Sequence, residues 1–209
     1  MGDHALLQLV QVIPSAVPSL LTFLLEDPFS NATRVLLHAL SRPDVPLGCA
    51  ALVLSGGSGP VIELLEKQVA VCEPLKAQDH DLDPMPLQVL IEVVEIVTAM
   101  ASCDRQAIAS NPEALQLYPS IPCLSHMLDL DLSHADAVAL NTAVFSALSA
   151  LGLRSPEGRL QVCQQGAMQL LVKFVVASNE DAAVNAPKSL QIKERNLRRT
   201  ADKALLHLV

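Results

Sequence analysis

Residues 111–151 read NPEALQLYPSIPCLSHMLDLDLSHADAVALNTAVFSALSAL, and the reading of this stretch decides the fold. Pro112, Pro119 and Pro122 sit where helices begin, because proline fixes φ and gives up an N–H that a first turn does not use. Between 120 and 129 a small residue, Ser120, leads into a Leu-containing apolar helix. From Leu140 onward, apolar side chains recur three and four residues apart, the period of an amphipathic helix. Ser133, with Asp136 three residues later, reads as a capping-box-like start for this longer helix.

Working outward, the same arrangement returns with regular punctuation, which is the signature of an internal repeat. Short apolar helices are expected at 16–25 (AVPSLLTFLL), 58–67 (SGPVIELLEK), 120–129 (SIPCLSHMLD) and 166–175 (GAMQLLVKFV). A second helix follows each, at 31–41, 87–102, 140–153 and 196–209. The third and fourth of these align with Thr142 over Thr200 and Leu148 over Leu206. Alternating strand patterns bounded by Asn-Gly or Asp-Gly turns are absent, so the expected class is all-α.

The stretch 111–151 resembles an armadillo repeat. Asn111, Pro112 and Glu113 match the opening of that family's short first helix; Ile121, Pro122 and Leu124 match its second; residues 140–151 match its Ala- and Leu-rich third. Residues 155–209 resemble it too, with Ser155, Pro156, Glu157 and Gly158 opening one helix and Gly166 the next. HEAT repeats, with two helices per unit, are the near alternative. The resemblance implies a right-handed superhelical α-solenoid of about four armadillo/HEAT-like repeats, forming a single domain over 1–209 with blocks at roughly 4–41, 46–102, 103–153 and 155–209. In such an array each unit buries its apolar face only against its neighbours, and the stack presents a concave side.

Composition agrees with a helical interior built from aliphatic side chains. Hydrophobic residues make up 51% of the 209, but aromatics only 2%, with no Trp and one Tyr. Five single cysteines, an odd number without any C-x-x-C pair, suggest neither a disulfide framework nor zinc, and place the expected home in a reducing, cytoplasmic compartment. The most apolar run, 87–101, contains Glu92 and Glu95, which are expensive in hydrocarbon, so no membrane insertion is expected. Net charge is −8, yet Lys188, Lys193, Arg195, Arg198, Arg199 and Lys203 against Glu194 and Asp202 give 188–209 a charge of +4 and leave −12 for the rest. An acidic body disfavours nucleic acid as the main ligand.

No constellation in the chain carries catalysis or a cofactor. The acidic run Asp79, His80, Asp81 and Asp83 invites a metal, but counting a calcium loop from Asp81 puts Pro86 where the turn requires Gly. Gly56, Gly57, Ser58 and Gly59 lack the following Lys-Ser or Lys-Thr of a phosphate loop and lie between helices, where that motif needs a strand. The six histidines show no H-E-x-x-H spacing. The expectation is therefore no catalytic residue, no metal and no cofactor.

What remains are side chains on the last helix of each block, which lines the concave groove in proteins of similar type. Block one offers Arg34 and His38. In block two Gln88, Glu92 and Glu95 share a helical face opposite Leu87, Leu90, Ile91, Val94 and Val97. Block three offers Asn141, which in armadillo-like proteins often holds a bound peptide's backbone, and Phe145 one turn on. Arg195, Arg198, Arg199 and Lys203 make a basic ridge in block four. These stripes read either as ordinary solvated faces or as a groove selecting a segment of matching charge. Functionally, the resemblance implies a non-enzymatic scaffold or adaptor holding an extended or helical segment of a protein partner. The alternative is a structural subunit of a large assembly such as a ciliary axoneme, where similar proteins occur. Nuclear-import receptors of similar fold read basic signals with rows of Trp, and this chain has none.

Overall fold

The computed structural model describes residues 19, 22, 23, 25–27, 57–73, 85–102, 116–130, 132, 134–177 and 188–208. Every regular element among these residues is helical, as the apolar periodicity requires. Arg34 and His38, with nearly all of block one, lie outside the described residues, as do Asp79 to Asp83, Asn111 to Glu113 and Ser133. In chain order the elements are α1 (Ser58–Cys72), α2 (Met85–Ser102), α3 (Ser120–Met127), α4 (His134–Arg154), α5 (Pro156–Gln164), α6 (Ala167–Ala177) and α7 (Lys188–Leu208).

Prolines mark the starts as the sequence indicates: Pro60, Pro86, Pro122 and Pro156 all fall within the first three residues of their helices. The start of α5 is the most fully built. Ser155 is extended, at φ −157° and ψ 160°, and its hydroxyl accepts from the backbone N–H of Gly158 at 3.0 Å while Pro156 opens the helix. At the other end of α5, Gly166 takes φ 77°, a left-handed conformation that suits glycine and turns the chain into α6.

Three helices extend beyond their expected limits by five residues or more. Expected over 58–67, α1 runs five residues further because Gln68, Val69 and Cys72 continue its buried face. The fourth helix begins at His134, ahead of the Leu140 limit of the repeat alignment but where the Ser133 and Asp136 capping-box pattern puts its start, with Asp136 in the first turn where the helix dipole favours an acid. The largest difference is α7, which begins at Lys188 rather than Asn196. Its first two turns are mostly charged and polar, so apolar periodicity does not announce them, yet Lys, Gln, Glu and Arg are good helix formers.

Packing organises the helices in two layers. The three longest, α2, α4 and α7, lie side by side with α4 in the middle, and the shorter α3 and α5 also pack on α4. The first helix covers α2 and touches α3, while α6 bridges α5 and α7. The core is aliphatic; Phe145 is the largest fully buried side chain among the described residues and belongs to one cluster with Leu90, Met100, Leu124 and Leu148. Hydrogen bonds link neighbouring long helices: Arg154 donates to the Met100 carbonyl at 3.3 Å, and Ser149 Oγ meets His207 Nδ1 at 2.7 Å.

Two of the described helices, Met85–Ser102 and Ala135–Arg154, are long and apolar enough to cross a membrane by length and composition. Of these windows 56% and 61% is buried inside the protein, so packing against neighbouring helices already accounts for their apolar character.

Candidate partner-binding surface

Because α4 is flanked by α2 and α7 and backed by α3 and α5, only a narrow arc of it reaches solvent. Ala135, Ala139, Thr142, Ser146, Ala150 and Leu153 form that arc, at helical spacings of four and three. Leu151, whose carbonyl lies beneath Gly158 of α5, is on the opposite side of the helix. The stripe therefore faces away from the shorter helices. On α2 the accessible arc is Gln88, Ile91, Glu95, Thr98 and Ser102. The side of α7 next to the Ser149–His207 contact carries Asn196, Thr200 and Lys203.

Hydroxyls on this face share one habit. Thr98 donates to the Val94 carbonyl at 3.0 Å, Thr142 to Val138 at 2.7 Å, Ser146 to Thr142 at 2.9 Å and Thr200 to Asn196 at 2.9 Å. Each hydroxyl hydrogen is spent on the carbonyl four residues back, so only lone pairs remain for an outside group. The middle of the face is thus small, uncharged and acceptor-only. Charge enters at its two edges, with Glu95 on α2 and Lys203 on α7, both exposed.

Three of the expected groove residues are not there. Phe145 is 1% exposed and belongs to the core. Asn141 is buried as well; at 100° per residue it lies roughly 140° around α4 from the accessible stripe. Glu92 is buried on the flank of α2, where its Oε1 accepts from Gln88 Nε2 at 3.4 Å. The i, i+4, i+7 relation placed Gln88, Glu92 and Glu95 together, but the solvent-facing arc of α2 is narrow enough to exclude the middle member. Gln88, Glu95, Arg195, Arg199 and Lys203 are exposed and Arg198 is half-buried. Of the basic residues, Lys203 lies toward α4, whereas Arg195 and Arg198 lie progressively further around α7 from it. Ala139, Thr142 and Ser146, not singled out from the sequence, were legible as the small-residue stripe opposite Leu140, Val144 and Leu151.

Elsewhere, the α1–α3 junction gathers several reactive side chains. His126 Nε2 meets Glu73 Oε1 at 2.7 Å, an exposed pair. Burial pushes the Cys72 thiol up to about 11, and burial with the nearby Glu66 and Glu73 carboxylates does the same to Cys123. Neither thiol is the low-pKa, thiolate-forming kind that nucleophilic catalysis uses. Among the described residues no group of three or more His, Cys, Asp or Glu is arranged to hold a metal ion.

No family model matches the chain, and comparison with curated proteins and with solved structures gives no significant match either.

Proposed function

We propose that the chain is a non-enzymatic scaffold, an armadillo-like or HEAT-like α-solenoid that holds a segment of a protein partner along the open face of α2, α4 and α7. The observation that carries this reading is the charge arrangement of that face. Exposed Glu95 stands on one edge helix and exposed Lys203 on the other, with neutral α4 between them. A segment lying across α4 with basic side chains toward α2 and acidic ones toward α7 would pair with both edges, and such complementarity sets register and orientation more than affinity. Small side chains at Ala139, Thr142 and Ser146 let a partner backbone come close to the α4 surface. The partner is a protein; the acidic body does not favour nucleic acid.

The test is to block the face without touching the core. Replacing Ala139 and Ser146 by Arg puts two long side chains across the middle of the stripe, and both positions already meet solvent. Affinity purification from the native source, after cross-linking, compares wild type with this A139R/S146R variant, with circular dichroism as the folding check. Loss of specific partners from a folded variant is expected. Recovery of the same proteins with both chains would overturn the open-face reading, and recovery of one large assembly by both would favour the embedded structural subunit.

A further inference from the structure

We propose that the exposed outer side of α7, opposite its buried face, binds the acidic stripe on α1 of a second copy of this chain, in a head-to-tail contact. On that side of α7, Ile192, Arg195, Arg199 and Leu206 recur at i, i+3, i+7 and i+14, one helical stripe about 21 Å long. Both apolar members are open to solvent, Ile192 at 58% and Leu206 at 79% exposed. Asp202, also exposed, is the one acid beside them.

The complementary stripe is on α1. Glu63, Glu66, Ala70 and Glu73 are exposed at spacings of three and four. Two of these carboxylates have partners at the surface, Lys67 at 2.9 Å from Glu63 and His126 at 2.7 Å from Glu73. All four of those side chains are about half exposed, so each pair is worth little and is readily exchanged for an arginine of another molecule. The two stripes match in helical period and oppose in charge. They also match the split of the whole chain into a +4 segment at 188–209 and −12 elsewhere.

Since the two stripes are different surfaces of one molecule, the contact is heterologous, and it leaves a free α7 and a free α1 at the ends for further copies. A single helix-on-helix contact falls below the size of a stable dimer interface, so association is weak, concentration-dependent and suppressed by salt.

Sedimentation velocity on the 209-residue chain tests this. In about 20 mM salt the weight-average sedimentation coefficient should rise with concentration, and in about 300 mM salt it should not. R195E/R199E and E63K/E66K should each abolish the rise. Mixing the two variants should restore it, because an acidic α7 then meets a basic α1 and the reverse contact pairs as well. None of these substitutions touches a buried position, Glu95, Lys203 or the α4 stripe, so the result is separate from the open-face reading. A wild type that stays monomeric at low salt, or a mixture that fails to associate, overturns the proposal. If that monomer instead sediments with phosphatidylserine-containing vesicles, the α7 side belongs to a lipid surface.

Discussion

The hydroxyls of Tyr118 and Ser155 meet in a hydrogen bond that ties the turn before α3 to the N-cap of α5. The same Ser155 oxygen accepts from Gly158 N–H, so one atom both starts a helix and joins it to the preceding unit. Ser155→Ala removes both bonds and should cost about 2 kcal/mol, the upper range for a lost cap. Tyr118→Phe removes one and should cost about 1 kcal/mol. A double-mutant cycle by urea denaturation should give a double variant clearly less destabilised than the sum, because the singles share a contact.

Gly158 and Gly59 both lie in helices, yet alanine should act oppositely at the two. A Cβ on Gly158 would collide with the Leu151 carbonyl and come within 2.9 Å of the Tyr118 ring, and backbone cannot yield cheaply. Gly158→Ala should therefore destabilise by about 1–3 kcal/mol despite alanine's better helix propensity. Around Gly59 nothing lies within 4 Å. There the propensity gain is unopposed, and Gly59→Ala should raise stability by about 0.5 kcal/mol, read as a higher Tm.

Phe145 and Lys203 separate core from surface among the residues the sequence nominated for binding. Phe145→Ala removes the largest fully buried side chain among the described residues and should cost about 3–5 kcal/mol in denaturant titration. Lys203→Glu and Glu95→Lys, on exposed positions, should stay within about 0.5 kcal/mol of wild type. Partner capture should change for the second pair while their unfolding curves do not.

Thiol chemistry should sort by environment. Cys163 is exposed, whereas Cys72 is buried and Cys123 partly so. Peptide-level mass spectrometry after brief iodoacetamide treatment at pH 8 should find Cys163 modified well before the other two. The fold holds both protected thiols protonated, with pKa raised from 9.0 to about 11. Their contribution is fully present below pH 9 and declines as pH climbs toward 11, because only the unfolded chain ionises freely over that window. Cys72→Ala/Cys123→Ala should flatten the alkaline fall in stability; an unchanged fall would refute this origin.

The sequence by itself determined the helical class, the alternation of short and long helices, and most helix starts among the described residues. Those features follow from local causes: proline geometry, the Ser155 cap, and apolar residues at helical spacing in 120–127 and 140–153. Where apolar periodicity was weak, as in the charged first turns of α7, the boundary was missed by eight residues. Tertiary structure alone decided which residues can be touched. A helix with neighbours on three sides exposes an arc narrower than half its circumference, and which arc depends on where those neighbours sit. Asn141 and Phe145 share α4 with Thr142 and Ser146, one residue away in sequence, yet the first two face the interior and the second two face solvent. Helical periodicity fixes the relative angles of these side chains, and only the positions of α2, α3, α5 and α7 fix which angle is outward.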